Sequence, residues 1–268
     1  MIFEMRILFW NTYQNPKINI YVVNLIQEYH IDILIMAEYD ADEGELIKLL
    51  EEYNENFIKC STIGCNRIHI WSNYSDIKAG EQDTYYSIQI IKEQFILCCV
   101  HLMSDLYGDR SDERADKIQQ MMHAINIYED KIGSKQTMII GDFNETPYGK
   151  GCLSANTFHG LPVLNVKDKA TRKVYEKEYR KFYNPMWNFM GDFSYPPGTY
   201  YLNEAKLYSP LWYLLDQVII SKDMLPLFKK DSLKIITTCS YADLMDSRQH
   251  PNKKISDHFP IVCEIEEH

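Results

Sequence analysis

Residues 57–60, 67–72, 85–91 and 95–100 are four strand-like segments in succession, with no helical pattern between them. A doubly wound single sheet alternates strand and helix, so this run argues for two packed sheets with helices outside them. The flanks supply the helices. Ile18, Val22, Leu25 and Tyr29 recur at helical spacing, and residues 42–53 read as a second helix. Ala115, Ile118, Met122 and Ile125 mark a third, introduced by the capping-type residues Ser111 and Asp112. Further apolar strands fall at 7–10, 31–37, 137–140, 217–220, 233–237 and 261–265, while 165–213 reads as irregular and rich in Tyr, Trp and Pro. With no internal repeat or low-complexity linker, residues 1–268 read as one unit with an aromatic-rich insertion at about 165–213.

Composition narrows the function classes. Hydrophobic residues make up 46% of the chain, enough for a real core. No apolar run reaches the roughly 18 residues of a membrane span. The N-terminal MIFEMRILFW reads as a first strand and not as a signal peptide. Seven cysteines are an odd number and form no CxxC pair, which fits reduced thiols in the cytoplasm and argues against a zinc-thiolate site. Cys98 and Cys99, adjacent in one strand, should face opposite ways. The net charge of −10 counts against a module that grips duplex nucleic acid over a long track, since phosphate neutralisation supplies most of that affinity. It leaves open an enzyme that meets phosphate through a metal ion.

The polar residues are placed informatively. Asn11, Glu38, His101 and Asp142 each stand at or just past the C-terminal end of an apolar strand, where sites are commonly assembled. Any one of them alone is equally a turn or capping residue. Residues 138–144 read Met-Ile-Ile-Gly-Asp-Phe-Asn: an apolar strand runs into Gly141, which permits a tight turn or a close approach, and then presents Asp142 and Asn144 on one side. The same pattern also describes an ordinary Asx turn. Near the C-terminus, Asp257 and His258 precede another apolar strand. A histidine that moves protons needs an orienting carboxylate, and Asp257 points elsewhere if the backbone is extended. Asp216, at the start of a separate strand, is a candidate for that partner.

Together these segments resemble the endonuclease/exonuclease/phosphatase superfamily. The matching pieces are Phe9-Trp-Asn11, Met36-Ala-Glu38, Cys99-Val-His-Leu102, Gly141-Asp-Phe-Asn144, Leu215-Asp-Gln-Val218 and Ser256-Asp-His258, in the family's order and over nearly the whole chain. The resemblance implies a four-layer α/β/β/α sandwich, two packed mixed sheets flanked by helices, with the site at the strand ends. It implies Glu38 as the principal Mg²⁺ ligand (Mn²⁺ as a substitute), supported by Asn11 and Asp257. Asp142 and Asn144 resemble the pair that orients the attacking water and contacts the phosphate. His258 resembles the general base or phosphate-binding histidine, with Asp216 as its orienting partner, and His101 the histidine that assists the leaving oxygen in the nuclease branch. Tyr13, Ala37 and Tyr39 depart from patterns frequent in the family, so one tightly held metal is expected and not two.

The implied activity is metal-dependent hydrolysis of a nucleic-acid phosphodiester. The alternative keeps the chemistry but acts on a phosphoinositide, phospholipid or small nucleotide; an acidic chain without an amphipathic membrane segment makes stable membrane association unexpected. A catalytically silent binding module is the third reading, against which all six motifs retain their reactive residues. Among the aromatics of 183–213, Trp212 is the best candidate for substrate contact, with mutual packing the ordinary reading for the rest. Arg110 and Arg114 are candidates to reach phosphate. Arg172, Lys173, Lys177, Arg180 and Lys181 read as the solvated face of a charged helix, with a local phosphate-gripping patch as the alternative. Lys253 and Lys254 stand close enough in sequence to His258 to meet a phosphate, and read equally as ordinary surface lysines. His30, His69, His123, His159 and His250 read as structural or surface residues.

Overall fold

The computed structural model describes residues 3–105, 108–205, 207 and 209–267. The chain opens with β1 (Phe3–Asn11), α1 (Asn19–Tyr29), β2 (Ile33–Ala37) and α2 (Glu43–Glu52). It then lays down β3 (Ile58–Lys59), β4 (Ile68–Ser72), β5 (Ile77–Asp83), β6 (Tyr86–Ile91) and β7 (Phe95–His101) without a helix between them. The long α3 (Ser111–Ile132) leads into β8 (Thr137–Asp142), the single turn α4 (Lys150–Leu153) and β9 (Gly160–Leu161). Next come β10 (Thr171–Val174), β11 (Lys177–Arg180), β12 (Phe182–Tyr183), β13 (Tyr200–Tyr201) and β14 (Trp212–Tyr213). The chain finishes with β15 (Asp216–Ser221), β16 (Phe228–Ile235), β17 (Thr238–Cys239), β18 (Ala242–Asp243) and β19 (Ile261–Glu267).

Six strands form one sheet in the order β16-β19-β1-β2-β4-β3, and seven form the other in the order β5-β6-β7-β8-β15-β12-β9. Side-chain alternation explains why they stack. Ile7, Phe9, Ile33 and Ile35 of the first sheet meet Leu97, Cys99, Met138, Ile140 and Val218 of the second in one buried core. The intervening residues Leu8, Trp10, Leu34 and Met36 pack outward against Val22, Leu25 and Leu46 of the helices α1 and α2. On the second sheet Ile96, Cys98, Val100 and Ile139 pack against Ile118, Met121 and Ile125 of α3. Both faces of each central strand are covered, so the strands are continuous apolar runs. Each buried Leu, Ile or Val contributes about 1.5–3 kcal/mol. The layers are therefore helix, sheet, sheet, helix, and Cys98 and Cys99 do face opposite ways.

The local departures from the sequence reading have physical causes. Ser111 is the first residue of α3 and not its cap; Arg110 holds that position and makes no side-chain cap bond, while Asp112 and Glu113 supply first-turn negative charge. The stretch 165–213 contains a two-stranded ribbon of β10 and β11, and β12 joins the main sheet by pairing with β15. The basic residues of 172–181 thus lie on a hairpin, and not on a helix.

Arg180 clamps that hairpin to the body. Its Nη1 donates to both oxygens of the fully buried Glu129 at 2.8 and 2.6 Å, and its Nη2 donates to the Lys135 carbonyl at 3.0 Å. Thr137 also donates to Glu129. Removing one partner of such a pair leaves an uncompensated buried charge. Arg180→Ala is expected to lower the unfolding free energy by about 3 kcal/mol, read from urea titrations. An unchanged midpoint and slope would show that Lys135, 3.4 Å from Glu129, suffices alone.

Candidate active site

Strand direction gathers the polar residues at one edge. β1 and β2 are parallel with Asn11 beside Ala37, and β7 and β8 are parallel with His101 beside Asp142. β15 runs antiparallel to β8 and begins with Asp216 beside Asp142. β19 runs antiparallel to β1, with Ile261 beside Phe9, so His258 just before it arrives at the same edge.

Backbone geometry then aims the side chains. Gly141 has φ +152°, and a Cβ there would stand 1.9 Å from the Val100 carbonyl oxygen, so only glycine lets β7 and β8 close up before Asp142. Glu38 (φ 50°) and Asn144 (φ 49°) both occupy the left-handed region that non-glycine residues rarely adopt. The Trp10 indole donates to the His258 carbonyl at 2.9 Å, and Ser256 Oγ donates to the Asn11 carbonyl at 2.7 Å while accepting from His258 N at 3.0 Å. These bonds tie the C-terminal loop to β1.

Asp142 is the centre of the cluster. Its Oδ2 accepts from Asn11 Nδ2 at 3.0 Å and from Asn144 Nδ2 at 3.2 Å, and its Oδ1 from Asn144 N at 2.8 Å. Asn11 Nδ2 also reaches Glu38 Oε1 at 3.3 Å. His101 Nε2 lies 3.6 Å from Glu38 Oε1 and 3.7 Å from Asp142 Oδ2. His258 Nδ1 bonds to Asp216 Oδ2 at 2.8 Å, and its Nε2 stands 3.9 Å from Asp257 Oδ1. Asp257 therefore does not point away from the imidazole, because residues 256–258 turn there and do not run extended.

The charges interact strongly in this buried setting. Burial pushes the Asp142 carboxyl up to about 7; the neighbouring His258 opposes that rise and Asp216 adds to it. Burial alone would lower His258, but the charge and hydrogen bond of Asp216, with Asp142 and Asp257, carry it up to about 10. His101 goes the other way, down to about 4, through burial and then the charge of Arg67. Two imidazoles at one edge are thus held in opposite states at neutral pH, one neutral and one cationic.

Two contributors escape the sequence reading. Arg67 Nη1 donates to the His101 carbonyl at 3.3 Å and to the Leu102 carbonyl at 3.5 Å, and its guanidinium lies 5.1 Å from the Tyr85 ring. A single arginine at a strand start gives no sequence signal of this. The Tyr200 ring lies 4.8 Å from the His258 ring and is tilted by 41°, and burial followed by nearby Asp257 pushes its phenol up to about 12. It stood in the sequence only as one of many aromatics. Trp212 belongs to a neighbouring aromatic group, stacked on Phe259 at 6.4 Å and edge-on to Tyr201 and His250. Arg110 pairs with Glu113, and Arg114 is buried against Asp105 and the Met103 carbonyl, so neither is placed in the acid–imidazole cluster.

Among the described residues, Asp142, Asp216 and His258 offer three ligand atoms within 4.8 Å of one another. This differs from the Glu38, Asn11 and Asp257 set that the family resemblance implies, although the two sets adjoin through Asn11 and Asp142. A 2.8 Å bond commits His258 Nδ1 to Asp216, so that ring nitrogen is already engaged.

No protein-family model and no curated protein matches the chain. Solved structures do. Truncated TDP2 from Caenorhabditis elegans superposes with a TM-score of 0.55 at 15% identity, over 99% of this chain and 98% of that one. The 3'-5' exonuclease NExo from Neisseria meningitidis gives 0.57 at 13%, over 97% and 99%. The human Nocturnin catalytic domain gives 0.54 at 14%, over 99% and 96%. The chain shares the fold of these three structures. Within this fold, the acid–imidazole cluster occupies one edge of the sandwich, where both sheets contribute strand ends.

Proposed function

We propose that the chain is a divalent-metal-dependent phosphodiesterase that hydrolyses nucleic-acid phosphodiester bonds. The observation that carries this is the convergence of Asn11, Glu38, His101, Asp142, Asn144, Asp216, Asp257 and His258, drawn from residues 11 to 258, on one edge of the sandwich. Because the site draws on nearly the whole sequence, residues 1–268 are read as a single catalytic unit. The choice of nucleic acid is supported by the fold's neighbours: NExo is described bound to a product DNA hairpin, and zebrafish TDP2 with a single-strand DNA product.

The residues fit a hard cation. The donors are carboxylates and an amide, with no thiolate, which suits Mg²⁺ or Mn²⁺. Burial and the charge of neighbouring Glu38 push the Asp257 carboxyl up, against the opposing charge of His258, a strain that a cation beside the two carboxylates would relieve. Glu38, with Asn11 and Asp257 beside it, would hold the ion. Bound there, the ion supplies positive charge against the phosphate oxygens.

The chain's own groups do the rest. Asp142, fixed by Asn11 and Asn144 and raised toward neutrality by burial, accepts the proton of the attacking water. His258, kept cationic by Asp216, donates to a non-bridging phosphate oxygen as charge builds there. Neutral His101 lies beside Glu38 and Asp142 to steady the leaving oxygen. Tyr200, protonated through the working range, packs on His258 and limits its rotation.

We also place the protein in the cytoplasm, on the support of seven free cysteines, six of them buried. Among the described residues no helix is long and apolar enough to cross a membrane.

The test is a substrate panel of single-stranded and duplex DNA, RNA, phosphoinositides and cyclic nucleotides, run with Mg²⁺, with Mn²⁺ and with EDTA. Strand cleavage that disappears in EDTA and returns with either cation is expected. Phosphate release from lipids without strand cleavage would replace this reading with the lipid one.

A further inference from the structure

On this acidic chain of net charge −10, residues 167–181 carry seven cations, Lys167, Lys169, Arg172, Lys173, Lys177, Arg180 and Lys181, against only Asp168, Glu176 and Glu178. The structure sorts those charges by face. β10 and β11 pair only with each other, with Arg172 opposite Tyr179 and Val174 opposite Lys177, while Lys173 stands opposite Glu178 and Thr171 opposite Arg180. Alternation therefore puts Arg172, Val174, Lys177, Tyr179 and Lys181 on one face of the ribbon and Lys173, Glu178 and Arg180 on the other.

The second face is internally neutralised. Arg180 is spent on Glu129, Lys173 lies 3.3 Å from Glu176, and Glu178 accepts from Thr171 Oγ1 at 3.1 Å. The first face has no carboxylate. Among the described residues, Arg172, Lys177 and Lys181 have no acidic partner within 4.0 Å, and Asp168 is occupied in accepting from Asn165 N at 2.7 Å. Burial, opposed by the bond to the Arg180 carbonyl and helped by the charges of Arg172 and Lys181, holds the His159 imidazole below its usual range. Tyr179 is half-buried between them, and Tyr175 at the hairpin tip is 93% exposed.

Cations separated by an aromatic on an open ribbon suit a flexible anionic polymer whose bases can stack. The ribbon is anchored at Glu129 near the C-terminal end of α3, beside the start of β8, whereas the catalytic cluster stands at the end of β8. The separation is about 20 Å at ~3.3 Å per residue. We propose that the Arg172–Lys177–Lys181 face of the hairpin is an accessory site for single-stranded nucleic acid, holding a strand whose other part lies in the catalytic cleft. This rests on the nuclease reading for the choice of nucleic acid over other polyanions.

The experiment uses full-length protein in EDTA, so that nothing is cleaved, and fluorescence anisotropy with a single-stranded DNA of about 30 nucleotides, roughly 100 Å at ~3.4 Å per nucleotide. The variant Arg172→Gln/Lys177→Gln/Lys181→Gln is expected to bind about tenfold more weakly at 0.1 M salt. Its plot of log affinity against log salt should be shallower by about 2, from three phosphate contacts at ~0.7 each. Lys173→Gln, on the opposite face, should leave that slope unchanged. Turnover of bis(p-nitrophenyl) phosphate, too small to span both places, should be the same in all three proteins. Wild-type affinity and slope in the triple variant would overturn the proposal, as would hairpin-dependent binding to phosphatidylserine vesicles with none to DNA. If no phosphodiester is hydrolysed by any of the proteins, the catalytic reading fails while the anisotropy result still decides the hairpin.

Discussion

Replacing His258 with alanine is expected to lower kcat on a nucleic-acid substrate by about 10⁴-fold, with the protein still folded. At 1.36 kcal/mol per factor of ten that is a loss of about 5 kcal/mol of transition-state stabilisation. The size follows from where the imidazole sits. It is almost fully buried, its Nδ1 is held by Asp216 at 2.8 Å, and its Nε2 is the end left to meet substrate. Because Asp216, Asp142 and Asp257 raise it to about 10, His258 carries its proton at neutral pH and loses it only as pH climbs through that value. A phosphate gaining negative charge on the way to the transition state meets a fixed cation in a water-poor edge, where such a contact is worth most. Wild-type kcat/KM should therefore rise as Asp142 loses its proton around pH 7, level off above it, and fall above about 10 as His258 loses its own. Folding should survive because the bonds that fix this loop use the His258 backbone, from Trp10 Nε1 to its carbonyl and from its N–H to Ser256. His258→Gln keeps most of the volume and guards against a cavity artefact. Either variant working within tenfold of wild type, with an unchanged thermal unfolding curve, would remove His258 from the mechanism.

How much of this was legible beforehand depended on burial. The central strands announced themselves because their middles are covered on both faces, so residues 7–10, 33–37, 95–100 and 138–140 are apolar runs that end just before Asn11, Glu38, His101 and the Gly141-Asp142 pair. The pairing of Asp216 with His258 could be anticipated because a carboxylate had to come from elsewhere in the chain, and Asp216 opened a buried strand. By contrast β5, Ile-Lys-Ala-Gly-Glu-Gln-Asp, left no trace in the sequence reading: it is an edge strand, largely solvated, whose partner β6 supplies the order. The hairpin of β10 and β11 escaped for a related reason. Its residues are mostly charged and do not alternate in polarity, so no strand periodicity is visible, and cross-strand pairing decides its shape. The condition under which Asp257 would point away from His258, an extended backbone, is not met, because the chain bends at Asp257. Arg67 acts on His101 through a backbone carbonyl, a contact that no residue pattern encodes.

Asp142→Asn should be nearly as damaging as the loss of His258, and more informative, since it changes charge and hardly changes shape. An activity loss of about 10³- to 10⁴-fold is expected, the range over which a positioned acid–base group contributes. Asp142 is joined to both halves of the site. It accepts from Asn11, which also bonds Glu38, and it presses electrostatically on His258 from across the cluster. Neutralising it removes the proton acceptor and takes away part of what keeps His258 charged, so the alkaline limb of the pH profile should move to lower pH in the variant. Stability should change little or rise. The native carboxylate is 1% exposed and its charged form is penalised by burial, a cost the amide does not carry. The amide donors left behind keep other acceptors, Asn144 Nδ2 at the Leu102 carbonyl and Asn11 Nδ2 at Glu38. A variant that is at least as resistant to urea as wild type and yet nearly inert would separate chemistry from folding at this position. One that retains a tenth of wild-type turnover would mean that the water's proton leaves by another route, and Glu38, the nearest other carboxylate to His101, would be the group to substitute next.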